Sequence, residues 1–260
     1  MYSDILQFAV SVATDAGKIL LDGFRNSKIE ISYKSRTNLV TNMDKKSEDF
    51  LYHTIQETFP EHAILAEEGS RKDTDNEFIW LVDPLDGTNN YAHGLPFFAV
   101  SLGVYSNEKQ EVIAGVVYNP YLNELFTAEK YKGATYNGSK IQVSNTKSLG
   151  ISVLATGFPY DKHDNANNNT KEFNNILPHI QGIRRYGAAA IDLAYVSSGW
   201  LDGYWEKSLH PWDIAAGMLI AKEAGAIVTD YNGNKTNPFN DKIVASNPNI
   251  HNAIISVLSK

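Results

Sequence analysis

The chain has 260 residues, of which 43% are hydrophobic, enough to bury a large core as one unit or as two closely joined halves. It contains no cysteine, which excludes disulfides, thiolate metal sites and cysteine nucleophiles, and its net charge of −7 argues against binding nucleic acid. No apolar stretch is long enough to span a membrane, and the first residues lack the basic segment of a signal peptide. The sequence therefore predicts a cytoplasmic protein with no nucleic-acid or membrane partner.

The N-terminal part is predicted to contain two helices. Apolar residues recur at helical spacing from Ile5 to Leu20, and a second helix is predicted to begin near Asp44. Taken alone, Asp44 is typical of an acid in the first turn of a helix, where it complements the helix dipole. Lys34 lies in the polar stretch between the two helices. Taken alone, it is typical of a charged side chain in a solvated loop.

Two acidic groups follow short apolar runs farther along the chain. Glu67 and Glu68 come directly after the apolar residues 64–66. On its own, an acidic pair in this position is typical of a solvated strand end. Residues 79–82 predict a buried strand, and Pro84 predicts that this strand breaks into a tight turn. The spacing of Asp83 and Asp86 at that turn would let both carboxylates converge.

The run from Asp83 to Thr88 has the layout of a metal and phosphate site. Mg²⁺ prefers oxygen ligands, and the Leu85 carbonyl is the natural backbone candidate beside Asp83 and Asp86. Gly87 allows a special backbone conformation, after which residues 88–92 are predicted to open a helical turn facing an anion. An ordinary turn that caps a helix is the alternative for an Asp-x-x-Asp spacing alone.

The remaining chain predicts a mixed sheet organisation with helices between the strands. Residues 97–104, 112–118 and 124–128 are predicted to be neighbouring antiparallel strands. Four later strands at 151–156, 203–206, 227–229 and 243–245 are predicted to alternate with helices at 170–180, 188–198, 214–223 and 250–258. Composition predicts a flexible polar loop at 161–169. We expect residues 1–150 to carry most metal ligands and residues 151–260 to recognise the substrate.

Two segments carry a family resemblance. Residues 80–91, around Asp83 and Asp86, resemble the first signature of the inositol monophosphatase family. The members of this family are Mg²⁺-dependent and typically Li⁺-sensitive phosphomonoesterases. A second similar segment runs from Trp212 to Ala226, and the resemblance extends from about Lys34 to Asn247. The resemblance implies an α+β fold of the sugar-phosphatase type, a layered αβαβα sandwich with mixed, largely antiparallel sheets. It also favours a homodimer.

The resemblance assigns roles to particular residues. It implies two or three Mg²⁺ ions with the ligands Glu67, Asp83, the Leu85 carbonyl, Asp86 and Asp213. It implies that the catalytic residues are Glu67, Asp44 and Thr88, of which the last two activate the attacking water. Asp213 also begins a predicted helix, where capping is its alternative role. Glu68 would anchor the loop that carries Glu67.

Substrate recognition is expected to come mainly from the C-terminal half. The residues implied are Lys34, Asp86, Gly87, Thr88, Gly187, Ala188, Ala189, Glu206 and Asp213. Family members often carry Ser or Thr where this chain has Ala188, which leaves the native substrate open. Glu206 matches an acid that bonds substrate hydroxyls, with a polar strand end as the alternative. The Arg184–Arg185 pair is interpreted as a solvated face or a subunit contact and not as catalytic.

These residues predict an enzyme that hydrolyses small phosphate monoesters, with inositol monophosphate as the leading substrate. The enzymatic alternatives are the 2′-phosphate of NADP, 3′-phosphoadenosine compounds and fructose 1,6-bisphosphate. A metal-loaded binding protein that has lost turnover is the alternative from another class. The sequence does not identify the donor of a proton to the leaving group, and it leaves the number of metals and the oligomeric state open.

Overall fold

The computed structural model of the protein describes residues 2–26, 29–69, 71–72 and 76–259. In chain order, its helices are α1 (Ser3–Gly23), α2 (Asn42–Thr58), α3 (Thr88–Ala92), α4 (Thr170–Ile176), α5 (Ala189–Ser197), α6 (Pro211–Glu223) and α7 (His251–Leu258). None of the helices in these ranges has an apolar stretch long enough to cross a lipid bilayer.

Most strands belong to two sheets, and a small hairpin precedes them. The strands are β1 (Ile31–Tyr33), β2 (Leu39–Thr41), β3 (Ala63–Ala66), β4 (Arg71–Lys72), β5 (Phe78–Asp86), β6 (Ala99–Ser106), β7 (Glu111–Asn119), β8 (Glu124–Glu129), β9 (Gly133–Tyr136), β10 (Ser139–Lys140), β11 (Val153–Thr156), β12 (Gly182–Arg184), β13 (Gly203–Lys207), β14 (Ile227–Thr229) and β15 (Lys242–Ser246). The first sheet has the order β10-β9-β8-β7-β6-β5-β3-β4 and the second β12-β11-β13-β15-β14, while β1 and β2 form the hairpin.

Both sheets are mixed. In the first sheet β3 and β5 are parallel and the other pairs antiparallel. In the second, β11 is parallel to β12 and β13, whereas β15 is antiparallel to β13 and β14. The predicted mixed and largely antiparallel organisation is therefore confirmed.

The elements stack in five layers. α1 and α2 pack on one face of the first sheet, and α5 and α6 pack between that sheet and the second one. α4 and α7 pack together, with α7 against β15 on the far side of the second sheet. Buried hydrophobic side chains fill the spaces between successive layers. Each layer packs on a neighbour because an uncovered apolar face of a sheet or helix would lie in water. The predicted αβαβα sandwich is confirmed.

Two glycines allow α6 to lie close to the first sheet. A Cβ built at Gly103 would come within 2.6 Å of the Ala215 Cβ, and one at Gly115 within 2.9 Å of the Ala216 carbonyl oxygen. The small residues at the start of α6 therefore fit directly against β6 and β7. This contact fixes the end of α6 that carries Asp213.

The predicted break at Pro84 is wrong. β5 continues from Phe78 to Asp86, and its register with β6 shifts between Asp83 and Asp86. Pro84 has no N–H to donate, and an irregularity in the ladder is where a strand tolerates it. The chain turns at Gly87 instead, where φ is +86°, a value that favours glycine.

Most other predicted elements lie where expected, with shifted ends. Strand β11 begins only at Val153, because Leu149–Ile151 forms a short 3₁₀ turn. Helix α4 ends at Ile176 and continues as a second 3₁₀ turn, Leu177–His179, which contains a proline. At the end of the polar loop 161–169, Asn169 is buried and bonded to the indole of Trp205. The division of the chain near residue 150 stays a prediction.

Candidate active site

One cavity of about 330 Å³ brings together residues from both ends of the chain. The predicted site residues that line it are Lys34, Glu67, Asp83, Leu85, Asp86, Gly87, Thr88, Gly187, Ala189, Glu206 and Asp213. Asp44 and Ala188 lie behind this lining, and both are buried. The cavity therefore gathers nearly the whole predicted set in one place.

Asp44 and Thr88 form a buried hydrogen-bonded pair at the cavity wall. The Thr88 hydroxyl lies 2.9 Å from Oδ1 of Asp44 and 3.0 Å from the Leu85 carbonyl oxygen. The other carboxylate oxygen, Oδ2, accepts the Thr41 backbone N–H at 2.9 Å and closes the start of α2. Burial raises the pKa of Asp44 to about 6, although the bonds from Thr41 and Thr88 oppose this rise. Asp44 is thus both the predicted acid of the first helical turn and a partner of Thr88.

The same face of α2 holds two further parts of the site. The Ser47 hydroxyl donates to the Pro84 carbonyl oxygen at 3.0 Å, and the Glu48 carboxylate accepts the Glu68 backbone N–H at 2.6 Å. Ser47 and Glu48 are buried and, with Asp44, lie on one side of the helix. Sequence reasoning missed both residues. An unusual run of polar groups on an otherwise apolar helix face was the signal available.

The two aspartates of β5 are held by backbone donors. Asp83 Oδ1 accepts the Leu85 N–H at 3.0 Å, and Asp86 Oδ2 accepts the Ala190 N–H at 2.7 Å. The second bond joins the motif to the first turn of α5. Burial raises the pKa of Asp86 to about 7 and raises that of Asp83 well above its usual range.

Asp213 lies in the first turn of α6, where the helix start and the cavity coincide. Its Oδ2 accepts the His210 backbone N–H at 2.7 Å, so the predicted capping role is present. Burial, and then the charge of Glu67, raise the pKa of Asp213 well above its usual range. The carboxylate therefore faces other acids as well as the helix end.

Lys34 reaches the site from the turn between β1 and β2. Its ammonium lies 3.1 Å from Oε1 of Glu67 and also contacts the Glu68 carboxylate. Lys34 is thus paired with acids of the cavity and is not a freely solvated loop charge.

The donor set fits a hard divalent cation. Glu67, Asp83, Asp86 and Asp213 offer carboxylate oxygens to one cavity, and burial is the main cause of the raised pKa of each. Among the residues that the structure describes, no three His, Asp or Glu side chains already stand as a group that would hold a metal ion. The carboxylates share the cavity without forming a finished coordination shell. Their excess negative charge suits Mg²⁺, which binds oxygen ligands and keeps several waters.

Glu206, at the end of β13, also lines the cavity. It accepts the Tyr204 hydroxyl at 2.6 Å, and burial raises its pKa to about 7. A Cβ built at Gly157 would lie 2.1 Å from both Glu206 carboxylate oxygens, so the side chain rests directly on this glycine. Glu206 is therefore placed by packing as well as by hydrogen bonding.

The predicted substrate residue Ala188 does not line the cavity. A Cβ built at Gly87 would lie 3.2 Å from the Ala188 Cβ, which places the methyl group against the turn after β5. Its neighbours Gly187 and Ala189 do line the cavity. The absence of a hydroxyl at position 188 consequently removes no donor from the described cavity wall.

Sequence reasoning missed several lining residues. Phe158, Pro159 and Tyr160 follow β11, and the Tyr160 carbonyl oxygen accepts the Thr37 hydroxyl at 2.5 Å. Nothing in the sequence linked this segment to the motif around Asp83. Arg185 also lines the cavity, and it is exposed, as the solvated-face interpretation of the Arg184–Arg185 pair expects.

The whole chain matches a known family model. Residues 1–260 match the model of the inositol monophosphatase family. The chain belongs to this family. The resemblance proposed from the two sequence signatures is confirmed.

Relatives in this family carry two kinds of name. The chain is 42% identical over 253 residues to a protein of Vibrio cholerae named Nus factor SuhB. The alignment covers 96% of this chain and 94% of that protein. It is 45% identical over 232 residues to the inositol-1-monophosphatase of Synechocystis, with 88% and 80% covered. The solved inositol monophosphatase of Anabaena superposes with a TM-score of 0.90 at 40% identity, covering 99% and 96%.

Proposed function

We propose that this chain hydrolyses small phosphate monoesters, with inositol monophosphate as the leading substrate and Mg²⁺ as cofactor. Glu67, Asp83, the Leu85 carbonyl, Asp86 and Asp213 would hold two or three ions. Bound Mg²⁺ supplies Lewis-acid stabilisation of phosphate oxygens and lowers the pKa of a bound water. We further propose a cytoplasmic homodimer, without a nucleic-acid or membrane partner.

The observation that carries the proposal is the Asp44–Thr88 pair beside four acids. Thr88 has one hydroxyl proton and lies within reach of Asp44 and the Leu85 carbonyl oxygen. An attacking water that donates to the Thr88 oxygen can pass its proton toward Asp44. The Asp44 carboxylate, whose pKa is about 6, is largely ionised at pH 7 and is able to accept it. A purely structural helix cap does not require this second bond to a cavity residue.

The remaining residues would hold the substrate. Asp86, Gly87 and Thr88 line the cavity next to the acids, where the reacting phosphate would bind. Gly187, Ala189 and Glu206 line the same cavity, and the Glu206 carboxylate would be an acceptor for substrate hydroxyls. A polyol phosphate has both features.

A second candidate is a role without turnover, which the name Nus factor of the Vibrio relative favours. In this chain the acids Glu67, Asp83, Asp86 and Asp213 are all present, together with Thr88 and Asp44. A site that had decayed would be expected to lack at least one of them. The complete set supports the enzymatic proposal.

A side-by-side assay tests the proposal. Purified protein is offered inositol 1-phosphate, NADP, fructose 1,6-bisphosphate and 3′-phosphoadenosine 5′-phosphate with Mg²⁺, with chelator and with added Li⁺. We expect turnover of inositol 1-phosphate that requires Mg²⁺ and is inhibited by Li⁺. Absence of turnover of all four compounds would favour the role without turnover. Preference for one of the other three would change the substrate but not the reaction class.

A further inference from the structure

Asn169 is a buried polar side chain that does not cap the helix it precedes. It lies at the N-terminal end of α4, where asparagine commonly bonds the free N–H groups of a helix. Here the side chain makes no such bond, and the first N–H of the helix, that of Thr170, is bonded to Oδ1 of Asn168. Asn169 is fully buried although it ends a polar loop. Its side chain therefore serves something other than the start of α4.

The amide of Asn169 uses its whole hydrogen-bonding capacity. Nδ2 donates to the Thr156 hydroxyl oxygen at 2.8 Å and to the Gly157 carbonyl oxygen at 2.7 Å. Oδ1 accepts the Trp205 indole N–H at 3.0 Å and the Tyr231 hydroxyl at 3.4 Å. Since an indole only donates and a carbonyl only accepts, these partners require one orientation of the amide. A carboxylate or a hydroxyl at this position could not make the same set of bonds.

Two of these bonds lead to Glu206. The Gly157 backbone lies directly against the Glu206 carboxylate, because a Cβ at Gly157 would come within 2.1 Å of both carboxylate oxygens. The Thr156 hydroxyl donates to the Trp205 carbonyl oxygen at 2.6 Å. That carbonyl belongs to the peptide unit that joins Trp205 to Glu206. Asn169 therefore holds both the surface on which the carboxylate rests and the backbone from which it extends.

The loop that Asn169 ends also forms part of the cavity wall. Residues 158–160, at its start, line the cavity. Near its other end, Nζ of the buried Lys207 donates to Oδ1 of Asn167 at 2.6 Å. Because successive side chains of a strand lie on opposite faces, this contact is on the side of β13 opposite Glu206. The loop thus joins the cavity to the far face of β13, and Asn169 closes it on itself.

We propose that Asn169 is a positioning residue that fixes the Glu206 carboxylate in the cavity and so sets the affinity for phosphate monoesters that carry hydroxyl groups. The proposal rests on the proposed phosphatase function, in which Glu206 accepts substrate hydroxyls. A carboxylate binds a hydroxyl well only when its oxygen is held at the right distance and direction. A hydrogen-bond network that served stability alone would not distinguish substrates with hydroxyls from substrates without them.

Two ligands test this role: inositol 1-phosphate, which carries hydroxyls, and phenyl phosphate, which carries none. Dissociation constants are measured by titration calorimetry with Mg²⁺ in the Asp44→Asn background, so that turnover does not consume the ligand. KM and kcat are measured with Asp44 in place. The melting temperature of every variant is recorded.

The variants break the network at two points. Asn169→Gly removes the amide, and glycine tolerates the φ of +69° at this position. Thr156→Val removes the hydroxyl that links the amide to the Trp205 carbonyl and keeps a similar shape. The control is Asn123→Gly, since Asn123 is exposed and has a comparable φ of +54°. If Asn169→Gly does not fold, Thr156→Val decides alone.

We expect Asn169→Gly to weaken binding of inositol 1-phosphate and to raise its KM by roughly tenfold, the value of one hydrogen bond to a charged group, with a smaller change in kcat. Phenyl phosphate should change by less than about twofold. Thr156→Val should give the same pattern with a smaller loss, and Asn123→Gly should change neither ligand. In a Glu206→Ala background, Asn169→Gly should add less than about twofold, because the two side chains act as one unit.

Equal losses for both ligands, effects that multiply in the double variant, or a lowered melting temperature with unchanged binding would overturn the proposal. Failure of the Asp44→Asn protein to bind inositol 1-phosphate would overturn it as well. Binding without turnover in the unchanged chain would contradict the proposed function and leave the comparison of dissociation constants readable.

Discussion

The Thr88 hydroxyl lies 2.9 Å from Oδ1 of Asp44, and both side chains are buried although their positions in the sequence differ by 44 residues. Oδ2 of the same carboxylate accepts the Thr41 N–H at the start of α2. One carboxylate thus serves a helix end with one oxygen and the cavity with the other. The capping role and the proposed catalytic role therefore coexist, and only mutation separates them.

The first prediction separates the two roles of Asp44. Loss of a helix cap costs roughly 0.5 to 2 kcal/mol of stability, whereas loss of a positioned base costs on the order of a hundredfold or more in kcat. We expect Asp44→Asn and Thr88→Ala to remain folded and to lose most of kcat, with the double variant little worse than either. Steady-state kinetics and thermal denaturation measure both effects.

The control for this prediction is Asp49→Asn, an exposed position on the same helix. It should change neither kcat nor the melting temperature appreciably. An Asp44→Asn protein with near-normal kcat and only a lowered melting temperature would show that Asp44 is a cap and nothing more.

The second prediction concerns the acids of the cavity. Chelator should abolish activity and added Mg²⁺ should restore it, because the carboxylates otherwise repel a phosphate anion. Asp86→Asn should lower kcat/KM by the equivalent of at least about 3 kcal/mol, the scale of one lost electrostatic contact in a dry site. An asparagine oxygen can still accept the Ala190 N–H, so we expect the fold to survive. Full activity in chelator contradicts the metal-dependent mechanism.

Local sequence was enough to predict the motif from Asp83 to Thr88, because its residues are close in the chain and their spacing restricts the backbone. It was misleading at Pro84, where proline suggested a turn but the pairing of β5 with β6 carries the strand through an irregularity. The neighbouring strands decide that outcome, and a single segment does not reveal them.

The contacts missed by sequence reasoning are those made by tertiary structure. Glu48 meets the Glu68 N–H only because α2 packs beside the end of β3, and Tyr160 reaches the site only because β11 and the β1–β2 turn converge. Arg185 was noticed as a basic residue, and its guanidinium lies over Gly187, two residues along the same segment. Charge alone does not show which way such a side chain lies.

The third prediction tests the missing hydroxyl at position 188. The Ala188 methyl faces Gly87 and not the cavity, so a hydroxyl there would not reach a substrate directly. We expect Ala188→Ser to change kcat/KM for inositol 1-phosphate by less than about threefold, the equivalent of roughly 0.6 kcal/mol. A gain of tenfold or more would identify this position as a substrate contact after all.

The fourth prediction concerns stability and pH through His251. This side chain is buried between Ser246 and Thr229, with each ring nitrogen 2.9 Å from a hydroxyl oxygen. Burial lowers its pKa from 6.5 to about 4, so between these pH values the unfolded chain binds more protons than the native one. The contribution of His251 to the free energy of unfolding should therefore be present above pH 6.5 and lost as the pH falls to 4.

Urea denaturation of the unchanged chain and His251→Asn isolates this contribution from that of the buried acids. The difference in free energy of unfolding between the two should be larger at pH 7.5 than at pH 4.5. The exposed His53 provides the control, since His53→Asn should give a difference without this trend. A constant difference for His251→Asn would mean that the ring has the same pKa in the native and unfolded states.

The last prediction uses Gly157 to move Glu206. A methyl group at position 157 would lie 2.1 Å from the Glu206 carboxylate oxygens, so Gly157→Ala must displace that side chain, whereas a Cβ at Gly150 meets nothing within 4 Å. If Glu206 bonds substrate hydroxyls, the displacement should raise KM for inositol 1-phosphate by roughly tenfold or more, the value of a hydrogen bond to a charged group, with a smaller effect on kcat. Gly150→Ala should be silent. Adding Glu206→Asp, which shortens the side chain and makes room for the methyl group, should recover part of the loss, because the clash and not the backbone is its cause. Unchanged KM in a folded Gly157→Ala protein would remove Glu206 from the substrate contacts.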